Sequence, residues 1–212
     1  MYKTVLFDFD GTLFDTGEGV TKSVRYAARA FGFFADDLSA LRCFVGPPLK
    51  DMFQKKYGVD EDTARAMVEK YRERYSKEGV RECAPYPGIM ALVGRLRAAG
   101  KTVAVATGKP TVSANEILAA YGFEDCFHAV LGSEFDGTRS HKSEVVSALL
   151  ERFGAEDAVM VGDRDNDVFG AAACGVPCIG VSYGYAEPCE LEKAGAIRVV
   201  RDAEELEGVL LG

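Results

Sequence analysis

Four short runs of apolar, β-favouring residues mark this chain: Lys3 to Asp8 (KTVLFD), Thr102 to Ala106 (TVAVA), Ala158 to Val161 (AVMV) and Pro177 to Val181 (PCIGV). None carries a helical period, and runs this short and this continuously apolar suit strands buried on both faces. His128 to Leu131 is a weaker fifth. Helical patterns fill the gaps. Within Gly88 to Ala99, the residues Ile89, Leu92, Val93 and Leu96 recur at three-four spacing, and Gly100 supplies a stop. Glu116 to Ala120 and Glu144 to Phe153 behave similarly. Strands that alternate with helices of this length predict βαβ units, right-handed crossovers and a parallel sheet.

One stretch breaks the alternation. From Gly17 to Cys83 the chain holds long helical patterns (Val20 to Phe31, Leu49 to Tyr57, Asp62 to Lys77) and no convincing strand, and Pro85-Tyr86-Pro87-Gly88 then punctuates the return. The expected fold class is therefore α/β: a Rossmann-like parallel-sheet core from residues 1–16 and 84–212, with a small all-helical domain, residues 17–83, inserted after the first strand. Hinges are expected near Asp15-Thr16 and near Ala84 to Pro87.

Charge and composition narrow the partners. The 212 residues carry a formal net charge of -8, which opposes a nucleic-acid backbone or an anionic membrane surface. A phosphorylated small molecule would also be repelled unless local cations reverse the sign at its site. Six cysteines (Cys43, Cys83, Cys126, Cys174, Cys178, Cys189) show neither CxxC nor zinc spacing and read as small buried hydrophobes. Asp8 and Asp10 interrupt the first apolar run before signal-peptide length, and no stretch approaches the ~20 apolar residues of a membrane span. A cytoplasmic location with reduced thiols is expected.

Ligands of open parallel sheets bind beyond the C-terminal ends of the strands, so polar residues there carry the most weight. Asp8 and Asp10 stand two apart on extended chain and would face one pocket, while Phe9 faces the core. Two close carboxylates need a cation between them or a shared proton. Gly11 allows a tight turn with its N–H open to an anion, although Asp-Gly is also an ordinary turn pair. Thr107-Gly108-Lys109 follows TVAVA and offers a hydroxyl and backbone N–H groups to a phosphoryl oxygen, or simply a helix cap. Lys142, ahead of the helix near Glu144, could neutralise phosphoryl charge; Arg139 and His141 compete for that role. Asp163-Arg164-Asp165-Asn166-Asp167 is oxygen-rich and suits a hard cation, with Asp163 and Asp167 four apart on one side of a first helical turn. An EF-hand is excluded because Val168 and Cys174 stand where its glycine and glutamate belong.

These segments resemble the four motifs of the haloacid dehalogenase superfamily of phosphatases: DFDGTLFDT (Asp8 to Thr16), Thr107 in VATGKP, Lys142 in HKSEVV, and VGDRDNDVFGA (Val161 to Ala171). FVGPPL (Phe44 to Leu49) and the APYPGI run are similar to phosphoglycolate-phosphatase-like members with a helical cap. The resemblance implies a Mg²⁺-dependent phosphatase acting on a small phosphorylated metabolite, as a monomer or dimer. Asp8 would be the nucleophile, Asp10 the general acid and base, and Thr107 and Lys142 catalytic supports. Gly11, Thr12, Gly108 and the cap's Arg42 would bind phosphate or substrate. Asp8, Asp10 (through its carbonyl), Asp163 and Asp167 would hold the metal. The acid at position 10 favours phosphate esters over alkyl halides, whose leaving group needs no proton. A sugar-phosphate mutase is the nearest enzymatic alternative, and a receiver-like phospho-signalling domain is the non-enzymatic one. Lys50 and the loop Phe44 to Pro48 are further candidates for contacting the leaving group, and Phe44 and Phe53 would either stack on a base or pack in the core of the helical domain.

Overall fold

The computed structural model describes residues 2–212. In chain order, β1 (Thr4–Phe7) and β2 (Phe14–Asp15) precede helices α1 (Gly17–Ala30), α2 (Leu49–Tyr57) and α3 (Glu61–Tyr75). Then come β3 (Ala84–Pro85), α4 (Ile89–Ala98), β4 (Thr102–Pro110), α5 (Thr111–Ala120), β5 (Ala129–Ser133) and α6 (Lys142–Phe153). The chain ends through β6 (Ala158–Gly162), α7 (Asp165–Ala172), β7 (Cys178–Val181), α8 (Glu190–Ala194), β8 (Arg198–Val200) and α9 (Ala203–Leu211).

Six strands form one parallel sheet in the order β5-β4-β1-β6-β7-β8. The chain winds outward from β1 through β4 to β5, then restarts beside β1 at β6 and winds the other way. That reversal is a topological switch point, and it opens the crevice at the C-terminal ends of β4, β1 and β6. All four residues of β1 are buried, as expected of a central parallel strand. Alternation splits its side chains between two layers. Leu6 joins Ala104, Met160 and Cys178 under Val145, Val146 and Leu149 of α6 and Val168 and Ala171 of α7. On the flanks, α4 packs against β4 and α9, and α5 against β4 and β5.

The chain divides into two compact units. One holds the residues up to Phe14 and from Pro85 to Gly212; the other is Asp15–Ala84. The chain passes between them at β2 and β3, which pair with each other. The second unit is helical: α1 packs on α3, and α2 on α3. Asp60 caps α3 by accepting the Thr63 N–H at 2.7 Å, and Gly58 (φ 67°) closes α2. A short 3₁₀ turn, Ser39–Phe44, completes its apolar centre. There Phe44 and Phe53 are buried with ring centroids 5.0 Å apart, so both are core residues and not the stacking platforms the sequence left open.

Two further expectations are corrected. Of the six cysteines only Cys178 is fully buried; Cys189 is exposed, the other four are half-buried, and all are free thiols. Asp163 lies ahead of α7, at a bend, and not on its first turn. Arg164 has strand-like torsions (φ -128°, ψ 161°), and Asp167 reaches back to accept its N–H at 3.1 Å. Among the described residues, no helix is long and apolar enough to cross a membrane.

Candidate active site

Four sheet-end segments of the first unit meet around one lysine. Lys142, the first residue of α6, is buried; its Nζ lies 2.7 Å from Asp8 Oδ1, 2.7 Å from Asp167 Oδ1 and 3.1 Å from the Ala106 carbonyl. Neither carboxylate oxygen gains an aligned hydrogen bond, so the contacts are ionic. Asp163 completes the cluster, with one oxygen from each of Asp8, Asp163 and Asp167 within 4.8 Å of the others.

Three buried carboxylates cluster beside one ammonium, which pairs with Asp8 and Asp167, and the sum is unbalanced. Burial first, then the charge of Asp167, pushes the Asp8 carboxyl up to about 7, against the pull of Lys142. Burial and the charges of Asp167 and Asp8 likewise hold Asp163 well above the usual carboxylate range. Burial works to lower Lys142, but Asp167 and Asp8 outweigh it and keep the ammonium protonated. An all-oxygen donor set, two oxygens without aligned donors and a surplus of negative charge together fit a hard divalent cation such as Mg²⁺.

Asp163 is held from two sides. Its Oδ1 accepts the Thr12 hydroxyl at 3.3 Å, and its Oδ2 accepts the Tyr185 N–H at 2.7 Å. The loop after β7 supplies the second contact. Gly184 approaches so closely that a Cβ there would stand 2.3 Å from Asp163 Oδ2 and 2.4 Å from the Gly11 carbonyl. Tyr183 anchors this loop by donating its hydroxyl to the Thr12 carbonyl at 2.9 Å, with its ring against Tyr86 (4.6 Å between centroids).

Phosphate-facing expectations need two adjustments. The Gly11 N–H is not open to an anion, because it donates to the Phe14 carbonyl at 2.8 Å. Gly11 instead provides the left-handed turn (φ 80°) that folds Phe14 back onto the motif, with Asp163 filling the space beside it. Thr12 directs its hydroxyl to Asp163. Thr107 is buried; its Oγ1 accepts the Lys109 N–H at 3.1 Å and keeps its own hydrogen to donate. Gly108 is exposed and its carbonyl accepts the Ser133 hydroxyl at 2.8 Å. Asp10 is buried, with Oδ1 2.9 Å from Lys109 Nζ. Arg139 pairs with Glu134, and the His141 N–H donates to Glu144. Arg42 sits exposed on the 3₁₀ turn of the helical unit, and Lys50 pairs with Glu61 at 3.2 Å.

Sequence reasoning gave the Lys109 side chain no role and passed over the loop Tyr183 to Tyr185. Strand-end logic could have found both: Lys109 follows Thr107 at the end of one strand, and Ser182-Tyr183-Gly184-Tyr185 directly follows PCIGV.

A buried acid cluster at the switch point of a doubly wound sheet marks the candidate catalytic site of an α/β protein. Residues 5–181, most of the chain, match the haloacid dehalogenase-like hydrolase family, and the protein belongs to it. It is 43% identical over 211 residues to a 5'-nucleotidase of Pseudomonas aeruginosa, covering 99% of this chain and 96% of that one. Identity to the tyrosine-protein kinase PtkA of Mycobacterium tuberculosis is 35% over 201 residues (94% of this chain, 68% of the other). A phosphoglycolate phosphatase of Rhodospirillum rubrum shares 31% over 218 residues, covering 97% and 90%. Among solved structures, a predicted phosphatase from Clostridium acetobutylicum superposes with a TM-score of 0.96 at 42% identity, covering 100% of this chain and 99% of that one.

Proposed function

We propose that this hydrolase is a Mg²⁺-dependent phosphatase that cleaves small-molecule phosphate monoesters through an aspartyl-phosphate on Asp8. The observation that carries the proposal is the Asp8 carboxylate at the mouth of the central strand, 2.7 Å from Lys142, inside a cluster that calls for a cation. The named relatives add the substrate class: two of them act, by name, on phosphate monoesters.

A carboxylate oxygen of Asp8 attacks phosphorus, a P–O bond to Asp8 forms, and the ester P–O bond breaks. Asp10 gives a proton to the departing alcohol oxygen, then takes one from the water that attacks phosphorus and releases Asp8. The Thr107 hydroxyl and the Lys142 ammonium bind the equatorial phosphoryl oxygens, where charge collects in the transition state. Asp8, Asp163 and Asp167 would hold Mg²⁺, with the Asp10 carbonyl as the family pattern implies, and the ion supplies Lewis-acid charge at the phosphoryl group. Lys142 with such an ion would make the site locally attractive to an anionic substrate despite the net charge of -8. Residues 17–83 act as the specificity cap, with Arg42 as its substrate contact. A 5'-nucleoside monophosphate is the first substrate to expect and phosphoglycolate the second, following the order of the relatives' identities.

Turnover of p-nitrophenyl phosphate with Mg²⁺ should fall to background in EDTA and return when Mg²⁺ is added in excess; turnover indifferent to EDTA would overturn the metal assignment. A panel of nucleoside monophosphates, phosphoglycolate and sugar phosphates ranks the substrates, and phosphate moving between two positions of one sugar would favour a mutase. Gly184→Ala should weaken Mg²⁺ binding by roughly 10- to 100-fold in calorimetry while leaving the circular dichroism unchanged, because its methyl displaces Asp163. Unaltered affinity would mean that the loop after β7 does not set the Asp163 carboxylate.

A further inference from the structure

Lys109 lies where a surface lysine would be expected, yet it is buried. β4 pairs regularly with β5 up to Ala106↔Leu131, and pairing resumes only at Pro110↔Ser133. Three residues of β4 therefore face one of β5, and such a bulge re-aims side chains beside a site. The Thr107 hydroxyl oxygen fixes the bulge by accepting the Lys109 N–H at 3.1 Å. The Lys109 side chain turns inward, 4% exposed, and places Nζ 2.9 Å from Asp10 Oδ1, whose side chain is 10% exposed. Its ammonium also lies 5.9 Å from the centroid of the Phe9 ring, which stacks on Phe14 at 4.9 Å.

The site thus contains two buried lysines, each beside a carboxylate. Lys142 attends Asp8 and Asp167; Lys109 attends Asp10. Burying an ion pair is weak evidence for a stabilising role, since an apolar pair of equal volume often does as well. The Asp10 charge is among those that act on Asp8, so the two carboxylates repel, and a cation beside Asp10 opposes that repulsion.

We propose that Lys109 is a positioning residue for Asp10, holding its carboxyl in the orientation from which a proton passes to the leaving alcohol. The proposal rests on the phosphatase function proposed above. Lys109 itself exchanges no proton and forms no bond to phosphorus.

The test compares kcat/KM for two leaving groups, since kcat/KM reports formation of the aspartyl-phosphate. p-Nitrophenolate departs without a proton; the alkoxide of the best alkyl monoester in the panel needs one. Lys109→Met should lower kcat/KM for the alkyl ester by roughly 10²–10³ and for p-nitrophenyl phosphate by less than about tenfold, with Lys109→Arg recovering part of the loss. Equal losses on both substrates, or no loss on either, overturn the proposal. Should Lys109→Met fold poorly by circular dichroism, Lys109→Gln replaces it. Adding Lys109→Met to Asp10→Asn should then cost nothing further on the alkyl ester, and additive losses would refute the coupling. Wild-type protein inactive on every ester tested would remove the phosphatase function itself, a result distinct from either outcome.

Discussion

Asp8→Asn is expected to remove phosphatase turnover by at least about four orders of magnitude, the scale on which loss of a covalent nucleophile falls. The same substitution should make the metal-free protein more stable. Asp8 has a carboxyl raised from 3.8 to about 7, chiefly by burial. The folded state therefore holds this proton more tightly than the unfolded chain. That stabilisation is complete below about pH 4 and is lost as pH rises through about 7. In EDTA at pH 8 the wild type buries an ionised Asp8, whereas the asparagine variant carries no charge there. Thermal melts should show the variant several degrees higher, at about 2–4 °C per kcal/mol for a chain of this size. Near pH 5 the gap should close, because wild-type Asp8 is then protonated. An active Asp8→Asn enzyme would end the aspartyl-phosphate mechanism; a stability gap independent of pH would end the electrostatic account.

Lys142→Met takes away the ammonium that pairs with Asp8 and Asp167. Turnover should fall by roughly 10³ or more, since the variant loses both a phosphoryl contact and the partner of the nucleophile. Unlike the first variant it should be less stable at neutral pH, by about 3–5 kcal/mol, because uncompensated charges remain buried. Acid should relieve the loss, as protonation of Asp8 and Asp163 removes the repulsion. Both carboxyls are already raised in the wild type, and that of Asp8 rises further once the pull of the lysine is gone. Excess Mg²⁺ should restore much of the melting temperature and little of the activity. Melts with and without Mg²⁺ at pH 5 and pH 8 separate these effects, and a variant as stable as wild type at pH 8 in EDTA would contradict the charge count.

The core strands were legible because a buried parallel strand leaves a blunt trace: a short apolar run that ends in a polar residue. TVLF and AVMV need no context to be seen, and the side chains just beyond them, Asp8 and Asp163, inherit their place from the sheet. β8 escaped because Arg198–Val200 is a three-residue edge strand with an exposed first residue, too brief to show a pattern. Lys109 escaped for a different reason. Nothing local distinguishes a lysine turned inward by a bulge from one facing water, and the bulge depends on pairing with β5. The Gly11 N–H looked free because the turn that brings the Phe14 carbonyl to it is a property of the folded motif. The cysteines were misplaced because burial of so small a side chain follows its neighbours and not its own polarity.

The paired strands β2 and β3 have a bearing on how such a protein diversifies. Residues 15–84 leave and rejoin the sheet-bearing unit through a two-stranded stem, so their ends are adjacent by construction. A segment with adjacent ends can be lengthened, shortened or exchanged at a loop-closure cost that changes little with its size. The stem works as a socket: the segment plugged into it can be rewritten wholesale while the strand ends of the sheet keep their residues.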